Sequence, residues 1–138
     1  MPRLALFFIA GFLAVPCFHQ PLVGLLHAYG VIPFAPFATA PTLPLGVPAW
    51  LSAAFWGGVW GVVMLLVLRW DANKPQPWLK GWLFGGIALT TVALLVVFPL
   101  KGLGLEPKQL PGRFLIGFLL NGAWGLGTLI FARTFLHR

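Results

Sequence analysis

The chain has 138 residues, 59% hydrophobic and 8% charged, with nine Lys or Arg and only Asp71 and Glu106 as acids. Its mean hydropathy is +0.93, which leaves too little polar surface to cover a water-soluble domain. The composition excludes an ordinary soluble enzyme and predicts one integral membrane domain over residues 1–138.

Residues 4–68 contain no Asp, Glu, Lys or Arg. About 20 apolar residues cross a hydrocarbon core roughly 30 Å thick, so more than one crossing lies in that stretch. Pro and Gly divide the chain into four apolar blocks, about 4–27, 48–68, 79–100 and 114–134. Lipid offers no hydrogen bonds to peptide groups, so each block must be a helix or belong to a closed barrel. Barrel strands alternate polar and apolar residues, and these blocks do not. The predicted fold is all-α, an integral membrane bundle of four transmembrane helices.

In the first block, Arg3, the apolar run 4–15 and Cys17 resemble a secretory signal peptide. No A-x-A-like site follows, and apolar character resumes after His19 and Gln20, which predicts a retained helix bent at Pro16 and Pro21. The carbonyls freed by those prolines require this helix to pack against protein. The connection 31–47 is uncharged and rich in Pro33, Pro36, Pro41 and Pro44, with Pro48 directly after it. Prolines so spaced prevent a spanning helix, and Phe34 and Phe37 favour the membrane interface. The segment is expected on the outer surface of the bundle as a lid, a docking surface or a stiff connector.

Along the second block Ala53, Gly57 and Gly61 recur every four residues, and Gly117, Asn121 and Gly125 do so on the fourth; Gly81 and Gly85 continue the pattern on the third. Small residues four apart make a flat stripe on which helix backbones approach closely. Spacing alone leaves open whether the stripes meet within one chain or across an oligomer. Gly58-Val59-Trp60-Gly61 recurs 64 residues later as Gly122-Ala123-Trp124-Gly125. A duplicated two-helix unit and coincidence in a Gly/Trp-rich chain explain this equally well, because the halves align poorly elsewhere at that offset.

Basic residues set the orientation. One side of a four-span topology holds six of them, Arg3, Arg69, Lys74, Lys80, Arg133 and Arg138, and the other holds Lys101, Lys108 and Arg113. The positive-inside rule puts both termini and the middle turn in the cytoplasm, with Trp70, Trp78 and Trp82 as an interfacial belt. The net charge of +7 suits anionic membrane lipids. The charges are scattered at helix ends, so nucleic acid is not expected as a partner.

Polar residues within the spans form the candidate site. His19, Gln20 and Asn121 are expected at a similar outer depth, with Thr90 somewhat deeper. Such groups face protein or a water-filled cavity. They read either as hydrogen bonds between helices or as a substrate site, and without a carboxylate beside them only His19 could relay protons. Cys17, His19 and His27 would have to converge on one helix to bind copper or zinc, and His137 lies near the opposite face, so neither a metal nor haem is predicted. Ser52 is the sole serine and the two acids lie in different loops, so no triad, carboxylate pair or phosphate-binding loop can be assembled. No cofactor is expected, and Asp71 reads as turn chemistry.

Phe18-His19-Gln20, Pro44-Leu45-Gly46-Val47-Pro48, Phe55-Trp56-Gly57-Gly58-Val59-Trp60-Gly61, Phe98-Pro99-Leu100-Lys101-Gly102 and Asn121-Gly122-Ala123-Trp124-Gly125 together resemble a group of small, uncharacterised proteobacterial membrane proteins. The resemblance runs over nearly the whole chain and implies a bacterial inner-membrane location. It brings no activity and no functional residues. The small multidrug carriers and fluoride channels also have four short helices, but this chain lacks the carriers' acidic residue in the first span and the channels' early Gly-rich Arg motif.

Two functional readings follow. The preferred one is a non-enzymatic accessory or structural component that packs with itself or with a larger membrane complex. The alternative is a small-solute channel or carrier, acting as an oligomer through the outer polar cluster. The topology has a direct test. In a chain with Cys17 replaced and single cysteines placed at Asn73 or Gln109, an impermeant thiol reagent added to spheroplasts is expected to label position 109 and not 73. The reverse pattern inverts the orientation.

Overall fold

The computed structural model describes residues 2–69, 78–104 and 106–137. It contains four helices long and apolar enough to span a membrane, here α1 (Arg3–Ala28), α2 (Ala49–Leu68), α3 (Trp78–Leu100) and α4 (Pro107–Leu136). Of the polar turn expected over 69–77, Arg69 is described, with φ +49°, and residues 70–77, with Trp70, Asp71 and Lys74, lie outside the described residues. The fourth helix starts earlier than its apolar block, at a 3₁₀ turn (Pro107–Gln109) that runs into α-helix from Leu110. Pro107 and Pro111 sit in first turns, where a proline lacks only an N–H that would be unpaired anyway. Prolines taken as loop residues in the sequence are helix starters here, and Arg113 lies inside α4.

The connection between α1 and α2 folds back over one end of the bundle. Its ordering element is a two-stranded antiparallel ladder, β1 (Pro41–Thr42) with β2 (Val47–Pro48), in which Thr42 pairs with Val47. Gly46, at φ +71°, closes the turn by donating its N–H to Thr42 O at 2.7 Å. Ile32 is buried against Val23 and Leu120, and Pro36 fills the space over Gly24.

The bundle is two helical hairpins built to one packing scheme. In the α1–α2 hairpin, a Cβ on Gly11 would fall on the Gly57 carbonyl oxygen and 3.1 Å from Gly61 Cα. In the α3–α4 hairpin, a Cβ on Gly85 would fall on the Asn121 carbonyl oxygen and 3.1 Å from Gly125 Cα. Gly61 approaches the Phe7 carbonyl as Gly125 approaches that of Gly81, and the Phe8 ring covers Gly58 as the Trp82 indole covers Gly122. Helices α1 and α3 also end alike. Gly30 (φ +72°) and Gly102 (φ +74°) occupy the left-handed position of a Schellman cap, with Val31 N–H donated to Leu26 O and Leu103 N–H to Phe98 O. The repeated Gly-x-Trp-Gly thus marks equivalent packing positions in two parallel halves. The small-residue stripes meet within the chain.

The halves join unequally. Helix α4 packs along α1, whereas α2 and α3 meet chiefly at the Trp78–Leu83 end of α3. Pro16 accounts for the closed side. Val15 donates its N–H to Phe12 O, and residue 16, being proline, has none, so Gly11 O loses its helical donors. The Trp124 indole supplies the missing bond, Nε1–H to Gly11 O at 3.0 Å, in a fully buried contact. The spacing that pairs Gly11 with Gly85 pairs Pro16 with Thr90, which keeps its N–H and donates it to Ile87 O. Trp60, the counterpart of Trp124, instead lies edge-on to Phe84, with ring centroids 6.2 Å apart.

Two outcomes check this scheme. Gly11→Ala and Gly85→Ala should each destabilise the protein by about 1–3 kcal/mol in detergent unfolding, and Gly104→Ala, which has open space around it, by less than about 0.5 kcal/mol. Trp124→Phe should cost about 1–2 kcal/mol by stranding Gly11 O. In a double-mutant cycle Pro16→Ala, which restores a helical donor, should recover part of that loss; strict additivity would refute the link.

Candidate functional site

Among the described residues three stretches wind as π-helix: Val15–His19 in α1, and Phe84–Leu89 and Ala93–Val97 in α3. A π turn widens the helix and spreads its side chains, and such turns recur at functional sites. All three contribute to one cavity. Val15 and His19 come from the first, Leu89 from the second, and Ala93 and Val97 from the third. Val92 between those two turns, Ala53, Trp56, Gly57 and Trp60 of α2, and Asn121 and Trp124 of α4 complete the lining of a space of about 190 Å³. The lining runs between α2 and α3 above the Trp78–Leu83 end where those two helices meet. Its walls are mainly apolar and aromatic, and among the described residues no charged side chain lines it.

Its polar groups are fixed by a chain of hydrogen bonds that can be followed from the backbone inward. Phe37 holds φ +53° and donates its N–H to Gln20 Oε1 at 2.7 Å. A backbone N–H can only donate, so the Gln20 oxygen faces Phe37 and its amide nitrogen faces His19, with Nε2 3.1 Å from His19 Nδ1. An amide nitrogen donates and does not accept, so Nδ1 is the acceptor and the neutral imidazole carries its proton on Nε2. His19 Nε2 has no hydrogen-bond partner among the described residues.

Asn121 is held from the other side of the cavity. Its Nδ2 donates to Thr90 Oγ1 at 3.0 Å, and Thr90, 1% exposed, is pressed against Gly117. Asn121 Oδ1 has no partner among the described residues. Of this pair, His19 therefore offers the cavity a donor, Nε2–H, and Asn121 an acceptor, Oδ1.

The residues singled out in the sequence separate into two roles. His19 and Asn121 line the same cavity, although they lie on α1 and α4. Gln20 and Thr90 stand behind them as positioning residues. Gln20 also lines a second space of about 160 Å³ under the connection, which shares His19 and Ala53 with the first. The packing glycines are engaged within the chain: Gly57 and Gly61 with α1, Gly81, Gly85 and Gly125 between α3 and α4, and Gly117 under Thr90. Cys17 is exposed, and the His27 ring lies 3.2 Å from Ile32 O. Among the described residues no three His, Cys, Asp or Glu side chains gather in a metal-binding group.

The tryptophan walls escaped the sequence reading. Trp60 and Trp124 were visible only as a repeated motif, and their position in mid-span rather than in an interfacial belt was the available signal. Comparison of the chain with protein-family models, curated proteins and solved structures finds no match.

Proposed function

We propose that this chain is a non-enzymatic, multi-pass protein of a bacterial inner membrane that holds a small uncharged solute in its lateral cavity, as a carrier or binding component. The observation that supports this reading is the meeting of His19 and Asn121, from different hairpins, in one cavity with a donor and an acceptor to spare. Polar groups are costly inside lipid, and those that serve only helix packing pair with each other. Here the pairing residues are Gln20 and Thr90, and each leaves its partner with a further hydrogen-bonding atom.

The accessory reading keeps one supporting observation. At the tip of the β1–β2 turn Leu43 is 97% exposed and Leu45 is 84% exposed, a pair of apolar side chains suited to a partner in a larger complex or to the membrane interface. The glycine stripes no longer argue for a homo-oligomer, because they are occupied internally.

The two readings part on what accompanies the protein. After gentle detergent extraction, mass spectrometry is expected to find a small molecule retained at about one per chain and lost from the His19→Leu/Asn121→Leu double variant. A wild-type preparation free of any such molecule, but carrying a stoichiometric partner protein released by Leu43→Ser/Leu45→Ser, would reverse the preference.

A further inference from the structure

We infer that the cavity takes the head of a membrane-soluble quinol, entering sideways between α2 and α3. The inference rests on the cavity reading above and names its ligand.

The lining excludes most other chemistry. No charged side chain faces the space, so an ion or zwitterion would lie in low dielectric without a counter-charge, a cost of several kcal/mol in real proteins. Trp56, Trp60 and Trp124 bring three indoles to the lining, and aromatic walls favour a flat ring. An apolar cavity of roughly 150 Å³ holds a benzene ring, so about 190 Å³ suits a single substituted ring and not a fused polycycle. The lining that α2 and α3 bring together includes Ala53, Leu89, Ala93 and Val97, all apolar. An apolar tail on the ring passes out there into lipid without meeting a polar group.

The hydrogen-bonding atoms decide between oxidation states. His19 Nε2–H requires an acceptor and Asn121 Oδ1 requires a donor. A quinol hydroxyl on each side of the ring satisfies both, one oxygen accepting from His19 and one O–H donating to Asn121. The oxidised quinone has only acceptors and covers the half-buried Asn121 Oδ1 without giving it a partner, which is the more expensive failure. A simple alkanol satisfies the polar atoms but leaves the aromatic walls unfilled.

The experiment measures partitioning of a decyl-tailed benzoquinol, its oxidised quinone and decanol between lipid nanodiscs with and without the wild-type protein, under anaerobic conditions. The expected result is saturable binding of one quinol per chain, about tenfold tighter than the quinone, the measure of one hydrogen bond, with no saturable excess of decanol. Asn121→Leu should erase the preference for quinol over quinone, His19→Leu should weaken both by about tenfold, and Ala93→Phe should fill the cavity and abolish binding. Equal affinity for quinol and quinone in the wild-type protein overturns the assignment whether or not the variants fold. So does quinol binding that survives Ala93→Phe in a monodisperse, helical preparation. Should native protein retain some other small molecule that His19→Leu/Asn121→Leu releases, while quinol fails to bind, the quinol assignment falls and the cavity reading stands.

Discussion

A proline inside a membrane helix creates a debt of hydrogen bonds that only protein can settle, and the arrangement of this bundle follows from how Pro16 is accommodated. The proline withholds the N–H that a π step would have offered Gly11, and Val15 turns to Phe12. Gly11 O is then a bare acceptor in a medium without water, where an unsatisfied peptide group costs several kcal/mol. A helix bearing a long donor must stand beside it, and α4 does so with Trp124. The absent side chain at Gly11 also lets Gly57 and Gly61 approach from α2. One glycine therefore sits at the junction of three helices, joined to one by backbone contact and to another by an indole.

A repeated architecture nonetheless has an unrepeated opening. The two hairpins use matching small residues at matching positions, which by itself would close α2 on α3 as α4 closes on α1. Thr90, in the place of Pro16, retains its N–H and turns its hydroxyl to Asn121. Trp60 rests on Phe84. What the first hairpin uses to seal the bundle, the second uses to orient a polar side chain toward a cavity. From the π turns of α3, Leu89, Ala93 and Val97 reach the cavity lining.

Much of this was legible in the residues. The four spans follow from the length of uncharged runs against the thickness of a bilayer, and the bend in α1 from Pro16 and Pro21. His19 and Asn121 were recognisable as polar atoms in the wrong solvent. What could not be read was which atoms would be consumed by neighbours. Gln20 and Thr90 looked equivalent to His19 and Asn121, and only three-dimensional contacts separate the residues that position from those left open. Spacing likewise could not say which stripe met which, because Gly57 and Gly125 are equally flat whether the facing helix belongs to the same chain or another. The start of α4 was missed for a local reason: Pro107 and Pro111 carry the same sequence signal whether they end a loop or begin a helix. The π turn Phe84–Leu89 has no proline within it or just after it and left no mark in the pattern, whereas Ala93–Val97 runs into Pro99.

Gln20 has a position whose effect reaches beyond its two hydrogen bonds. One end of its amide is held by the backbone of the Pro-rich connection and the other by the imidazole. An amide cannot rotate half-way: released from Phe37, it is free to turn over and offer His19 an oxygen where it now offers hydrogen. The ring proton would then move to the nitrogen facing that oxygen, and the opposite nitrogen would greet a guest with a lone pair. A stretch of loop on the surface thereby sets the sign of the hydrogen bond available in the interior, without any atom of the loop touching what is bound there.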